Sequence, residues 1–372
     1  MRKNILIAVG GTGGHLFPAQ ALARQIRSRE ENVNIMFVGE GLLKNPYFCR
    51  DEFSFREVPS GTFSKRKIFQ SIINCGVLAK GFVSSFGIIK SFRPDVIVGF
   101  GSYHSLPPLA AAKAYAIPIV LHEGNSIPGK VNRFFSRFAR ITTVSFPMAS
   151  NFLSGKSLYV NFPLRDGYTP LYTPKEKARR HFVLQANKFT FLVFGGSQGA
   201  LALNTHFCAA VLDLIDRSRN FQVIHLTGHE SFKDEIKEFY RDNGVEACVR
   251  SFEERMDLAW IAADLAITRS GASSIAESIA METPTILVPY PFATNFHQDK
   301  NADYVQNEVR GAVKLEEKDL KPTKLAQTIS GLLENDREKL SMMKQSLCDY
   351  KSNSGAHDLC SIVFEVAGIK VR

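Results

Sequence analysis

The sequence predicts an α/β protein made of two Rossmann-like, doubly wound parallel-sheet domains with a cleft between them. Short runs apolar on both faces, such as "VIVGF" (96–100), "IPIVL" (117–121), "FTFLVF" (189–194) and "TILV" (285–288), alternate with helical stretches. Strands of a parallel sheet covered by helices on both sides read this way. A glycine turn after the first strand, "ILIAVGGTGGH" at 5–15, is echoed by "FLVFGGSQGAL" at 191–201, half a chain further on. With 372 residues, 45% of them hydrophobic, the chain can fill two cores.

Taken in order, strands are expected at 4–9, 33–38, 95–100, 117–122 and 141–146. A second set follows at 189–194, 221–227, 247–252, 265–268, 285–289 and 311–315. Between the sets lies "NFPLRDGYTPLYTPKEK" (161–177), rich in Pro, Gly and Tyr, which is the natural break. Ligands of such folds bind at the carboxyl ends of the strands, so both glycine loops are expected to face the cleft.

Composition removes several classes. Six cysteines are scattered without a Cys-x-x-Cys pair or zinc spacing, which suits reduced thiols and no structural metal. The basic start "MRKNILIAVGG" has an apolar core of only Ile5 to Val9, too short for a signal peptide. Residues 1–160 hold 20 Lys and Arg against 8 Asp and Glu, whereas the remainder holds 26 against 28. The net charge of +10 thus comes from the first half, which is expected to face an anionic partner. No RNP-like, helix-turn-helix or zinc pattern accompanies that charge, so nucleic acid is not expected.

The first loop, "VGGTGGHLFPA" (9–19), is neither of the common nucleotide loops. Leu16 stands where a dinucleotide fingerprint needs its third glycine, and Glu40, the nearest acid after the second strand, lies late. A P-loop would need Gly-Lys-Ser/Thr where Gly14-His15-Leu16 stands. In "AADLAITRSGASSIAESIAMETPTILVPYP" (262–291), a strand ends at Thr268, Arg269-Ser270-Gly271 turns, and a helix starts near Ser273. Its N-terminus offers free N–H groups to an anion, and Glu277, one turn in, can accept two hydrogen bonds from a ribose diol. Plain capping by Ser273 and Ser274, with Glu277 as a dipole-favoured acid, is the alternative.

"GGTGGH", "GGSQGA", "RSGASSIAE" and "HQDKNA", in this order and spacing over essentially the whole chain, resemble the MurG family of N-acetylglucosaminyltransferases. The resemblance implies a GT-B fold with an acceptor- and membrane-facing domain (1–163 plus a returning helix in 353–372) and a UDP-GlcNAc-binding domain (164–352). It implies inverting transfer of GlcNAc from UDP-GlcNAc to the C4 hydroxyl of the muramyl sugar of lipid I. The product would be lipid II for peptidoglycan, made on the cytoplasmic face of the bacterial inner membrane. Donor contacts implied are Thr12, Gly13, Gly14, Asn125, Arg165, Ser197, Ala272, Ser273, Ser274, Ile275, Ala276, Glu277 and Gln298, with the backbone of Glu253 beside uracil. Gly101, Ser102 and Tyr103 would form the acceptor-side loop.

Two departures stand out. The family's third glycine loop reads like G-G-Y-x-S-G-P, but here Ser102 and Leu106 replace two glycines; and Phe162 interrupts an Asn-Pro-x-Arg segment before Arg165. Displacing UDP needs a base and positive potential for the leaving diphosphate. No Asp-x-Asp triplet suggests a chelated ion, so metal-free, cofactor-free transfer is expected, with helix N-termini and Arg165 supplying the potential. His15 is the leading base, since an imidazole titrates near neutrality, with His122 and Glu123 as alternatives.

Residues 63–92 are expected to dock on an anionic phospholipid surface. Lys65, Arg66 and Lys67 precede an apolar stripe at helical spacing that includes Ile68, Phe82, Phe86 and Ile89, widened by Phe69. Lys80 in its middle argues against a membrane span. Another sugar-nucleotide enzyme of the same fold, such as a UDP-GlcNAc 2-epimerase, is the alternative activity.

Overall fold

The computed structural model describes residues 2–61, 68–165, 167–168, 173–196, 199–216 and 220–370, with backbone alone over 68–75. The chain divides into two compact units, Met1–Arg165 with Gly355–Arg372, and Asp166–Ser354. Each is a wholly parallel sheet among the described residues, flanked by helices.

The first unit contains β1 (Lys3–Ala8), β2 (Val33–Gly39), β3 (Ser54–Glu57), β4 (Val96–Gly99), β5 (Ile119–Glu123), β6 (Ile141–Val144) and β7 (Ser157–Tyr159). Their order is β3-β2-β1-β4-β5-β6-β7, so the sheet reverses direction of growth between β1 and β4. Side chains alternate across the sheet. Ile5, Ile7 and Val9 face one core, with Leu16, Leu22 and Ile26 of the helix Gly13–Arg29; Leu6 and Ala8 face another, with Ile97, Leu109 and Leu121. The C-terminal helix Leu359–Ala367 returns to the first of these cores through Leu359, Ile362, Val363 and Phe364. Asp358 caps that helix through Ser361 N–H and pairs with Arg29, so a local cap and a link between chain ends share one carboxylate.

The second unit contains β8 (Phe189–Phe194), β9 (Phe221–Leu226), β10 (Ala247–Arg250), β11 (Leu265–Thr268), β12 (Thr285–Leu287) and β13 (Ala312–Lys314), in the order β10-β9-β8-β11-β12-β13. Its reversal lies between β8 and β11. All eleven expected strands form. β3 and β7, the two edges of the first sheet, were not expected: "SFRE" and "SLY" are short and largely or partly exposed, so neither shows an apolar run.

The stretch proposed for membrane docking is one helix, Ile68–Phe92. Its buried face is Gly81, Ser85 and Ile89, spaced four apart; a Cβ on Gly81 would meet the Pro59 carbonyl at 2.0 Å. Phe86, expected on the same stripe as Ile89, is exposed, because close approach to Pro59 turns the glycine face inward. Among the described residues, no helix is long and apolar enough to cross a membrane.

The returning helix is expected to contribute core stability to the first unit. Phe364, 1% exposed, becomes a cavity in Phe364→Ala, which should lose about 3–5 kcal/mol in urea unfolding of that unit. A loss below about 1 kcal/mol would show that the helix is not part of the core.

Candidate active site

In the first unit, three loops leave the carboxyl ends of β1, β4 and β5. The β1 loop passes through Gly10–Thr12 into the helix Gly13–Arg29, whose N-terminus has no acidic residue in its first turn. Thr12 and Gly14 are exposed and Gly13 is buried. Half-buried His15 has its Nδ1 2.9 Å from Thr12 Oγ1, and Asn45 Nδ2 donates to Gly11 O at 2.8 Å. Arg165 lies with its guanidinium 4.8 Å from the centre of the Phe17 ring, so despite Phe162 it reaches the helix that carries His15. Phe162 itself is packed edge-on to His122, with centroids 5.7 Å apart.

His122 and Glu123 end β5 and are both buried. Thr143 Oγ1 donates its one proton to Leu121 O (3.0 Å), so it accepts from His122 Nδ1–H at 3.1 Å. The ring is therefore the Nδ1–H tautomer, and its Nε2 lone pair is buried without a partner among the described residues. Burial, and secondarily the proximity of His15, pushes its pKa down to about 3. Glu123 is pushed up by burial, opposed by its donors. Oε1 accepts from Asn125 N–H (3.0 Å) and Oε2 from Gly129 N–H and Asn132 Nδ2 (both 3.0 Å). Both oxygens are thus engaged in shaping the 124–132 loop, which carries Asn125.

In the second unit, the loop after β8 is built from close backbone approach. A Cβ on Gly195 would lie 2.3 Å from Ala200 N, and Gly199 sits at φ +71 against Thr227 O. Ser197 lies outside the described residues. After β11, Arg269 is held by Glu317 and by the carbonyls of Val288 (3.2 Å) and Pro289 (3.3 Å), so its charge serves the loop's own architecture. The helix Ala272–Ala280 then begins at Gly271 with no side-chain cap, and buried Ser273 Oγ has no partner among the described residues. Ser274 and Ala276 are half-buried, and Ile275 packs inward. Helical side chains lean toward the N-terminus, which carries the buried Glu277 carboxylate back over the preceding turn. Trp260 donates its indole N–H to Glu277 Oε2 at 2.8 Å. Gln298 Oε1 accepts from Tyr290 N–H (3.0 Å) while its carbonyl accepts from Ser270 Oγ (2.7 Å). Buried Glu253 turns its carboxylate to Arg250 and to Arg255 N–H (2.8 Å).

Sequence reasoning missed Trp260, Asn132 and Thr143. Trp260 is the chain's one tryptophan, wholly buried, and a buried indole N–H calls for an acceptor; that was the available signal. Lys65, Arg66 and Lys67 lie outside the described residues, as do the side chains of Ile68 and Phe69. Phe82 is half-buried, whereas Phe86 is 37% exposed and stacks on Tyr115 (5.6 Å). Close by in the chain, Lys113 lies over Phe138 (5.1 Å), and Arg137 over Phe134 (5.2 Å). Phe86 was expected in the patch; exposed Tyr115, Phe134 and Phe138, with the cations over the last two, were not.

The Glycosyltransferase family 28 N-terminal domain matches residues 5–144, and the family 28 C-terminal domain matches residues 190–359. A Protochlamydia amoebophila protein named UDP-N-acetylglucosamine–N-acetylmuramyl-(pentapeptide) pyrophosphoryl-undecaprenol N-acetylglucosamine transferase is 44% identical, covering 100% of this chain and 97% of its own. A Chlamydia pneumoniae protein of the same name is 33% identical, over 98% of both chains. Among solved structures, Acinetobacter baumannii MurG superposes with a TM-score of 0.74 at 22% identity, over 98% of this chain and 99% of that one. A UDP-glucose:anthocyanidin 3-O-glucosyltransferase in complex with UDP gives 0.70 at 15%, over 99% of each. The fold is thus of the GT-B class.

Buried His225, like His122, is pushed down to about 3 by burial. Between pH 6.5 and about 3 the unfolded chain binds protons at these two rings that the folded chain refuses, so stability is lost as pH falls through that window. NMR of ¹⁵N-histidine-labelled protein should show both rings neutral from pH 7 down to about 5. A His122 resonance titrating near 6.5 would contradict the tautomer and burial described above.

Proposed function

The chain belongs to glycosyltransferase family 28, and from that premise we propose that it is an inverting transferase moving GlcNAc from UDP-GlcNAc to the C4 hydroxyl of the muramyl sugar of lipid I. The product is lipid II, the disaccharide precursor of peptidoglycan. The observation that supports the reading is the chemistry at the carboxyl end of β11. Beyond β11, a helix N-terminus without a side-chain cap, with a buried Ser273 hydroxyl that has no partner among the described residues, precedes the Trp260-anchored Glu277 carboxylate.

In this reading Glu277 holds the ribose, Ala272–Ala276 and the 195–199 loop meet the diphosphate, and Gln298 and the Glu253 backbone lie at the nucleoside. Thr12, Gly13, Gly14, Asn125 and Arg165 supply the remaining donor contacts. Gly101, Ser102 and Tyr103 face the acceptor pyrophosphate. His15 takes the proton of the C4 hydroxyl as its oxygen bonds to the anomeric carbon. The bond from that carbon to the UDP oxygen breaks with inversion. Helix N-termini and Arg165 meet the charge that develops on UDP, without metal or cofactor. His122 and Glu123 fit the base less well: with its pKa pushed down to about 3, the His122 ring is too weakly basic to keep the proton, and Glu123 has both oxygens occupied.

The acceptor's polyprenyl chain keeps it in a bilayer, so the first unit must work at a membrane surface, on the cytoplasmic side. Exposed Phe86, Tyr115, Phe134 and Phe138, with Lys113 over Phe138 and Arg137 over Phe134, suit an anionic lipid interface, and Lys65, Arg66 and Lys67 add basic charge to the sequence of the same unit.

The direct test combines purified protein, UDP-GlcNAc and a short-chain lipid I analogue. A β-linked disaccharide should form with one UDP released per transfer, and EDTA should change little. Release of UDP without disaccharide, or epimerisation of the donor, would overturn the reading. His15→Ala should leave UDP binding intact while lowering kcat by ~10²–10⁴-fold. Glu277→Ala should weaken UDP-GlcNAc roughly 10- to 150-fold in calorimetry. Wild-type kcat in the first or wild-type affinity in the second removes that residue from its role.

Flotation with phosphatidylglycerol or cardiolipin vesicles tests the surface. Wild type should float at low salt, and both a Lys113→Glu/Arg137→Glu variant and a triple Glu variant at 65–67 should float much less. Equal flotation of all three would exclude the patch.

A further inference from the structure

The β4 loop carries a backbone conformation that its sequence does not suit. Ser102 sits at φ 70 and ψ 154, a region open essentially to glycine alone, directly after Gly101 at φ +83. The MurG-like pattern has a glycine at this position. A serine thus occupies a backbone geometry suited to glycine.

Such a conformation persists only where its surroundings over-determine it, and here they do. Ser105 Oγ lies 2.7 Å from Gly101 O and 2.8 Å from Ser102 O and shares its one proton between them, closing the turn from behind. From the other side, Ser102 and His104 press on Gly10 of the first glycine loop. A Cβ there would lie 2.3 Å from Ser102 Oγ and 2.7 Å from His104 Cδ2. The His104 ring is itself fixed. Its Nδ1 is 3.0 Å from Glu40 Oε2 and contacts Ser60 Oγ, which donates to the same carboxylate at 2.7 Å. With the Ser60 proton on Glu40, Ser60 Oγ accepts from His104 Nδ1–H. Glu40 leaves the end of β2, Ser60 follows β3, and His104 follows β4. The cluster therefore ties these three strand ends to the β1 loop, and the mechanism above uses none of its members.

We infer that Glu40, Ser60 and His104 are positioning residues for the acceptor: they form a strut that holds Ser102 in a glycine-only conformation and so keeps the 101–103 loop in its working shape. The inference rests on the proposed assignment of that loop to the acceptor. It also accounts for Glu40, an acid too late in the chain to serve a dinucleotide ribose.

The test is a double-mutant cycle of His104→Ala with Ser102→Gly, repeated with Glu40→Gln, which preserves side-chain size. KM for a short-chain lipid I analogue, KM for UDP-GlcNAc, kcat and Tm are measured for each. With Ser102 present, His104→Ala and Glu40→Gln should raise the acceptor KM roughly tenfold and leave the donor KM within about twofold. In the Ser102→Gly background the same changes should move the acceptor KM less than about threefold, because glycine needs no strut. Equal effects in the two backgrounds, or a donor KM that moves as far as the acceptor KM, would overturn the inference. So would coupling confined to Tm, which would leave the cluster as loop stabilisation alone. If the wild type forms no disaccharide, the acceptor reading itself fails; disaccharide formation with uncoupled variants fails only the strut.

Discussion

Where β1 pairs with both β2 and β4, and β8 with both β9 and β11, the parallel register leaves two neighbouring strands whose following loops must part toward opposite faces. A crevice opens at the carboxyl edge between them, and in doubly wound sheets this is where ligands sit. Four loops leave those central strands: 10–15 after β1, 100–105 after β4, 195–200 after β8 and 269–272 after β11. The pairing of Ile5 with Val96, and of Leu265 with Phe191, thus decides which loops can share a substrate within each unit.

The loops at those edges cannot be held by apolar burial, because they must stay open to ligand. Buried polar groups hold them instead. Glu123 gathers the 124–132 loop, Arg269 fastens its turn to Glu317 and two carbonyls, and Trp260 pins Glu277. Such networks are sensitive: removing one partner leaves a buried donor or charge unsatisfied, which costs more than the hydrogen bond contributes on balance. Rigidity of this kind suits transfer chemistry, where a fixed array of donors need not reorganise as charge moves to the leaving group.

The sequence was most legible where one physical signal dominated. Doubly apolar strands and glycine turns located the central strands of both sheets and the loops that leave them. Edge strands β3 and β7 were illegible because a short, part-exposed edge needs no apolar run. The Ile68–Phe92 helix showed its apolar residues but not which of them turn inward, since that depends on Gly81 meeting Pro59 across the fold. Among the candidate bases, the saturation of Glu123 and the tautomer of His122 were not legible, because they depend on Asn132 and Thr143, which only the folding of the chain brings to them. Ser102 read as a departure from a glycine pattern, and only the backbone shows that it stands in a conformation ordinarily reserved for glycine.

The central claim is that the β11 edge, through Glu277, receives the nucleoside diphosphate sugar. Trp260 offers a direct reporter, being the one tryptophan in the chain and hydrogen-bonded to that carboxylate. Protein labelled with ¹⁵N-tryptophan gives a single indole N–H resonance, to be followed while UDP-GlcNAc is added. The account predicts a saturable shift whose midpoint matches calorimetric binding and which UDP reproduces and NADH does not. Calorimetric binding of UDP-GlcNAc that leaves this resonance unmoved would contradict it.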